Sequence, residues 1–157
     1  MSEDIVILSG ARTAIGTFGG SLAGTPPIDL GTAAAKAALD RAGVEGGQIG
    51  HVVFGHVINT EPRDMYLSRV SAIGAGIPDS VPAMNVNRLC GSGAQAIVSA
   101  AQSLLLGDAD YALAGGAESM SRGLVHRVKN RISQHLCAPI LNPDTRLGCI
   151  APLNHDT

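Results

Sequence analysis

The sequence predicts an α/β domain in which a parallel or mixed sheet is covered by helices on both faces. Short β-prone apolar runs alternate along the chain with alanine-rich segments of helical character, and glycine or proline marks most of the changes between them. The 157 residues suffice for one domain with a sizeable core, and no internal repeat of solenoid length is visible.

The first three predicted elements are a strand, a helix and a second strand. Residues 5–8 form a continuous apolar run, which suits a strand buried on both faces of the sheet. A helix is predicted from about residue 30 to 42, with Asp29 as its N-cap and Gly43 as its C-terminal stop. The second strand is predicted over residues 52–58.

The remaining elements repeat the same alternation. A short helix is predicted over residues 65–74, ending before Pro78, and a third strand over 83–87. An alanine-rich helix is expected from about 91 to 106, and a fourth strand over 111–114 closes on two glycines.

Charge and hydropathy exclude several classes of function. The 11 Lys and Arg residues against 13 Asp and Glu give a net charge of −2 without a dense basic stretch, so nucleic acid is not an expected partner. No apolar run approaches the ~20 residues of a membrane-spanning helix, and the start of the chain is acidic where a signal peptide would be basic. We therefore expect a cytoplasmic protein without a membrane partner. Its three cysteines are expected to be thiols.

Residues 124–157 differ in composition from residues 1–123. Only one of the 20 glycines, Gly148, falls in this last part, and no helical or alternating apolar period is visible there. We predict a folded domain over 1–123 and a divergent tail over 124–157. The tail is either a long surface loop or the product of a truncation or frame change after Gly123, because structureless segments of this length are unusual inside a compact domain.

The tail also concentrates residues that could bind a metal. They lack the paired Cys-x-x-Cys or His-x-x-x-His spacing of metal sites, so no metal is predicted. These residues are His126, His135, Cys137, Cys149 and His155.

The most chemically suggestive residue is Cys90, which falls where a predicted strand turns into a helix and is followed by small residues. The free N–H groups of a helix N-terminus favour a thiolate over a thiol and can hold an oxyanion on a thioester carbonyl. The alternative is that Cys90 is a small buried core residue, which is the commonest role of a lone cysteine.

A dinucleotide-binding loop is a second interpretation of the same stretch. Residues 91–96 fit the pattern G-x-G-x-x-A, and Asp108 and Asp110 follow at about the required distance. Asp110 precedes the next predicted strand, however, whereas the acid that binds a ribose belongs at the end of that strand. The nucleotide interpretation is therefore the weaker one.

Several motifs together resemble the thiolase family. The stretch 87–93 (Asn-Arg-Leu-Cys-Gly-Ser-Gly) followed by 115–121 (Gly-Gly-Ala-Glu-Ser-Met-Ser) is similar to thiolase motifs, as are residues 12–20 and 81–83 upstream. The resemblance covers about residues 4–123, which is less than half of a thiolase chain. Residues 53–66 are most similar to bacterial β-ketothiolases linked to polyhydroxyalkanoate and fatty acid metabolism.

The resemblance implies an acyltransferase in which Cys90 is the catalytic nucleophile. The implied substrates are acyl-CoA and CoA, with no cofactor and no metal, since the thioester itself acidifies the α-carbon. The resemblance further implies that Gly91, Ser92 and Gly93 shape the loop around the acyl group. A homo-oligomer is expected for the full-length family.

The sequence departs from the thiolase pattern in two respects. Thiolases carry a His in a Gly-His-Pro motif and a Cys in a Cys-x-Gly-Gly motif, and neither motif occurs here. Of a stretch that many acetoacetyl-CoA thiolases share, only Arg69 is retained, which leaves the acyl-chain preference open. The alternative function is therefore a catalytically silent module, derived from a thiolase, that binds or assembles with partners.

Overall fold

The computed structural model describes residues 4–123, which fold into a three-layer α/β unit. Three helices and three strands alternate along this part of the chain, with short 3₁₀ turns at residues 46–48, 62–66 and 120–122. The elements are α1 (Pro27–Ala42), β1 (His51–Gly55), α2 (Leu67–Gly74), β2 (Ala83–Val86), α3 (Ser92–Leu105) and β3 (Ala112–Gly116).

The three strands form one parallel sheet in the order β2-β1-β3. Val52 of β1 pairs with Ala83 of β2 and with Leu113 of β3, so β1 is the central strand. Residues 52–54 of β1 are completely buried. Such burial is typical of a parallel strand that helices cover on both sides.

Alternate side chains of β1 point into two separate cores. Val52 and Phe54 pack in the larger core with Ile28 of α1 and Leu67 of α2. Val53 points the other way and packs, with Ala114 of β3, against alanines of α3. The helices α1 and α2 therefore cover one face and α3 covers the other, which confirms the predicted α/β class with helices on both faces.

Helix α1 begins earlier than predicted. It starts at Pro27, whose fixed φ and missing N–H suit the first helical position, so Asp29 lies in the first turn and is not the N-cap. The predicted stop is correct, since Gly43 adopts φ 65° as C-cap.

The predicted strand at residues 5–8 is wrong. These residues have no regular secondary structure, and the exposed fractions of Ile5, Val6, Ile7 and Leu8 are 38%, 67%, 68% and 57%. Among the described residues, no strand lies beside them to bond their backbone, and high β-propensity does not form a strand without such a partner. Directly after the segment, Ser9 Oγ donates to the Ala38 carbonyl oxygen at 2.6 Å and the Gly10 carbonyl oxygen accepts from the Arg41 side chain at 2.8 Å.

The other strand and helix boundaries differ by a few residues. β1 ends at Gly55 rather than at residue 58, because the Val57 and Ile58 N–H groups donate to the Glu118 carboxylate instead of to a strand. The helix predicted over 65–74 begins at Leu67, after a 3₁₀ turn. Within residues 4–123, no helix is long and apolar enough to span a membrane.

Candidate active site

Cys90 lies in the turn that joins β2 to α3, where the sequence predicts it. β2 ends at Val86, and α3 begins at Ser92 with Gly91 as its N-cap. The Cys90 thiol is free and exposed, so the alternative of a buried core cysteine is wrong. A reagent in solution can therefore reach a sulfur next to the positive end of a helix of 14 residues.

The Ser92 side chain fixes the shape of this turn from below. Its hydroxyl is completely buried, accepts from the Arg88 N–H at 2.9 Å and donates to the Leu89 carbonyl oxygen at 2.6 Å. One side chain thus makes two hydrogen bonds to the backbone that directly precedes Cys90. Ser92 therefore supports the loop from the protein interior, and the predicted role of Gly91, Ser92 and Gly93 in shaping the loop around an acyl group stays a prediction.

The backbone of the turn is strained at one residue. Leu89 has φ 51°, which makes it the only non-glycine residue with positive φ among residues 4–123. The amides of Gly91 and Ser92 donate to the carbonyl oxygens of Arg88 and Leu89, both at 3.0 Å. These two amides are therefore used by the turn itself.

Two glycines let the sheet approach the turn closely. A Cβ added at Gly55, the last residue of β1, would lie 2.7 Å from the Ser92 carbonyl carbon and 2.9 Å from the Gly93 nitrogen. A Cβ at Gly116 of β3 would lie 2.8 Å from the Gly55 carbonyl oxygen. A side chain at Gly55 would push the Cys90 turn away from the sheet, and one at Gly116 would push β3 away from β1.

A buried polar pair lies beyond the carboxyl ends of β1 and β3. The His56 Nδ1 atom is 2.8 Å from the Ala117 carbonyl oxygen and 3.2 Å from Glu118 Oε1. Because a carbonyl oxygen only accepts, Nδ1 carries the proton and donates. The Glu118 carboxylate also accepts from the Val57 and Ile58 N–H groups at 3.0 and 2.9 Å.

Burial raises the pKa of the Glu118 carboxyl above its ordinary value, although the His56 ring and the two amides act to lower that pKa. Neither Glu118 nor His56 was predicted from the sequence as a site residue. The only signal for Glu118 was its place inside the stretch 115–121, and an isolated histidine after an apolar run is not distinctive.

A second buried carboxylate orders the loop between β1 and α2. Asp64 is completely buried, and its Oδ2 accepts from the Thr60 N–H at 2.6 Å, from the Thr60 hydroxyl at 2.8 Å and from the Glu61 N–H at 3.1 Å. The loop that leaves the Gly55 end of β1 is thus fixed by local hydrogen bonds.

The other sites considered from the sequence are not assembled in the described part of the chain. Residues 4–123 contain no group of three or more His, Cys, Asp or Glu side chains that could hold a metal ion. The cysteines and histidines of the tail lie outside the described residues. Asp110 precedes β3 and lies at the amino end of the strand. An acid that binds the ribose of a dinucleotide belongs at the other end of the strand.

Comparison with known proteins gives a consistent set of matches. A family model, the thiolase N-terminal domain, matches residues 5–141. The β-ketothiolase BktB of Cupriavidus necator is 62% identical over 148 residues, which is 94% of this chain and 34% of BktB. Both matches continue past Gly123, where the motifs recognised in the sequence end. The division at Gly123 stays a prediction, because residues 124–157 are outside the described part.

Solved structures match in the same way. The acetyl-CoA acetyltransferase of Bacillus anthracis superposes with a TM-score of 0.70 at 36% identity, covering 87% of this chain and 33% of that protein. Human mitochondrial 3-ketoacyl-CoA thiolase in complex with CoA gives a TM-score of 0.69 at 38% identity, covering 74% of this chain and 31% of the human protein. The chain thus spans about a third of the length of these relatives.

Proposed function

The chain belongs to the thiolase family, and from that premise we propose that Cys90 accepts the acyl group in an acyltransferase acting on CoA thioesters. The observation that carries the proposal is the placement of Cys90: it is the only cysteine of residues 4–123, and its exposed thiol lies in a fixed turn at the N-terminus of α3. Nucleophilic cysteines occur in such positions, partly exposed and near a positive helix end.

The proposed chemistry has two halves. The Cys90 thiolate attacks the carbonyl carbon of an acyl-CoA, the carbon–sulfur bond to CoA breaks, and CoA leaves as a thiolate that takes up a proton. The α-carbon of acetyl-CoA then loses a proton and attacks the acyl-enzyme, which releases 3-ketoacyl-CoA and regenerates the Cys90 thiolate. Thiolysis is the same sequence in reverse.

The turn limits which groups can stabilise the oxyanion of the first half. The amides of Gly91 and Ser92 already donate within the turn, so they are not free to bind a developing negative charge. The macrodipole of α3 still favours negative charge beside its first turn. We therefore propose that residues 4–123 supply the nucleophile and its electrostatic environment. The remaining hydrogen-bond donors to the oxyanion would come from the part of a thiolase that this chain does not contain.

The second half of the chemistry needs groups that this chain lacks. A thiolase uses a His of a Gly-His-Pro motif and a Cys of a Cys-x-Gly-Gly motif as acids and bases, and neither motif occurs in the 157 residues. The loss of one general acid or base typically slows a reaction by about 10²–10⁴-fold. We propose that this chain alone is acylated slowly and does not turn over at an enzymatic rate.

The alternative is a catalytically silent module that binds partners, among them further copies of a thiolase chain. It is supported by the same missing motifs, and it predicts that Cys90 has no special reactivity toward acyl-CoA. The reactivity of Cys90 toward acyl-CoA therefore distinguishes the two functions.

That measurement is acylation of the purified chain by acetyl-CoA, mapped by mass spectrometry of the peptides. We expect an adduct of about 42 Da on Cys90, where one acetyl group replaces one proton in a covalent acyl-enzyme. Cys137 and Cys149 should not carry this adduct, and Cys90→Ser should lose it. The tail cysteines serve as internal controls, because they are in the same chain and meet the same reagent. Equal labelling of all three thiols would favour the silent module.

A further inference from the structure

The turn that carries Cys90 is supported at both of its ends by the carboxyl end of β1. Its first end follows Val86, whose carbonyl oxygen accepts from the His56 N–H at 3.1 Å. Its second end is Ser92 at the start of α3, and a Cβ added at Gly55 would lie only 2.7 Å from the Ser92 carbonyl carbon. We call Gly55 and His56 the β1 terminus. A shift of the β1 terminus would therefore move the backbone on both sides of the thiol.

One buried carboxylate in turn holds the β1 terminus. The Oε1 atom of Glu118 lies 3.2 Å from His56 Nδ1, and Glu118 is only 3% exposed. The next two amides, those of Val57 and Ile58, donate to the same carboxylate at 3.0 and 2.9 Å. Three consecutive residues thus donate to one side chain from the segment that follows β3. Because the site is buried, these bonds are electrostatically stronger than the same bonds would be in water.

The His56 ring contributes to this arrangement through one of its two nitrogens. Nδ1 lies 2.8 Å from the Ala117 carbonyl oxygen and also faces Glu118, whereas the buried Nε2 atom has no hydrogen-bond partner among residues 4–123. A buried polar atom without a partner is costly. The structure therefore gives a bonding role to the Nδ1 donor of His56 and none to its other nitrogen.

We propose that His56 and Glu118 form a positioning pair for Cys90. The pair fixes the β1 terminus, the β1 terminus fixes both ends of the turn, and the turn holds the thiol beside the first turn of α3. Both side chains are at most 3% exposed, so they act through the backbone and not by touching a substrate. This inference rests on the proposed function, because a position for the thiol matters only where Cys90 reacts.

The test is the reactivity of Cys90 in two matched variants of the full 157-residue chain. His56→Asn keeps a side-chain N–H near the position of Nδ1, whereas His56→Gln moves that N–H one methylene further along, near the position of Nε2. We measure the rate of alkylation by iodoacetamide, scaled to the two tail cysteines by peptide mapping, and hydrogen exchange of the amides of residues 57 and 58. His56→Asn should retain the wild-type rate and amide protection. His56→Gln should lower the rate by a factor of about three or more, because the thiol is no longer held in its place.

Glu118→Gln tests the pair from its other side. The glutamine amide keeps one acceptor oxygen but turns an NH₂ group toward N–H donors, so at least one of the three donors loses its acceptor. We expect the same fall in rate as for His56→Gln. The control is Ile28→Val, which removes one methylene from the larger core, on the face of the sheet opposite α3. It should lower stability and leave the rate at Cys90 unchanged.

Three results would each overturn the proposal. A wild-type rate in either His56→Gln or Glu118→Gln would show that the thiol does not depend on the pair. An equal fall in His56→Asn would show that the Nδ1 donor is not the group that matters, and an equal fall in Ile28→Val would reduce the effect to lost stability. Should His56→Gln fail to unfold cooperatively in urea, the comparison of Glu118→Gln with Ile28→Val decides. Alkylation needs no acyl-CoA, so failure here is distinguishable from failure of the acetylation that tests the proposed function.

Discussion

The Cys90 turn and the amino-terminal run 5–8 are both exposed, yet they differ in how their backbones are held. The turn has little intrinsic preference for one shape, but Ser92, the amides of the turn and the close approach of Gly55 fix it. The run is continuously β-prone and has no backbone partner in the described part. The comparison teaches that partners for the backbone, more than local propensity, determine which of these segments gains hydrogen-bonded structure.

The largest expected effect comes from a methyl group added at Gly55. In Gly55→Ala the new Cβ would meet the Ser92 backbone at 2.7 Å, and backbone cannot rotate away as a side chain can. We expect the free energy of unfolding in urea to fall by about 1–3 kcal/mol, as for other overpacked sites.

The matched control for this variant is in the other region. A Cβ at Gly10 meets nothing within 4 Å, so Gly10→Ala should change stability by less than about 0.5 kcal/mol. Similar losses in both variants would contradict the claim that the two regions are held differently.

A smaller effect is expected for Ser92→Ala. The substitution leaves the Arg88 N–H without its acceptor and removes one of the two hydrogen bonds to the Leu89 carbonyl oxygen, which costs about 1–2 kcal/mol of unfolding free energy. We also expect a changed rate of iodoacetamide alkylation at Cys90, read by peptide mapping against the tail cysteines.

Ser103→Ala is the control, since its hydroxyl makes one long bond of 3.4 Å within the same helix. It should leave the alkylation rate at Cys90 as in the wild type. If Ser92→Ala lowers stability but leaves that rate unchanged, Ser92 stabilises the fold without positioning the thiol.

The smallest effect concerns the buried pair beside the sheet ends. Burial raises the pKa of Glu118 above 4.5, its ordinary value, so the folded chain holds a proton that the unfolded chain releases. The contribution of Glu118 to the free energy of unfolding should therefore be fully present below pH 4.5. It should be lost as the pH rises from there through the pKa of Glu118 in the folded state. One proton limits the slope to about 1.4 kcal/mol per pH unit.

Unfolding measured in urea across this pH range checks the slope. Glu118→Gln should remove this contribution, whereas Asp40→Asn, at an exposed carboxylate, should retain it. If the stability of the wild type minus that of Glu118→Gln changes with pH in the opposite direction, the amides and His56 outweigh burial.

The sequence was sufficient for the features that depend on local pattern. Gly43 ends α1 because its backbone adopts positive φ there, and Cys90 falls between β2 and α3 because the strand and helix signals flank it directly. The thiolase motifs identified the family from the same short stretches.

Features that depend on distant partners were not predictable. The run 5–8 has the pattern of a buried strand, but a pattern does not show whether a neighbouring strand is present. β1 does not continue to residue 58 because the amides of Val57 and Ile58 donate to Glu118, which lies about 60 residues later in the chain. The strained φ of Leu89 also depends on the bonds of Ser92, which no residue preference indicates.

The exposure of the run 5–8 also has a consequence for the colloidal behaviour of the protein. A short, uncharged, β-branched segment is a seed for cross-β aggregation when it is accessible. In this chain Glu3 and Asp4 precede it directly, and acidic residues in that position act as gatekeepers by mutual repulsion between copies.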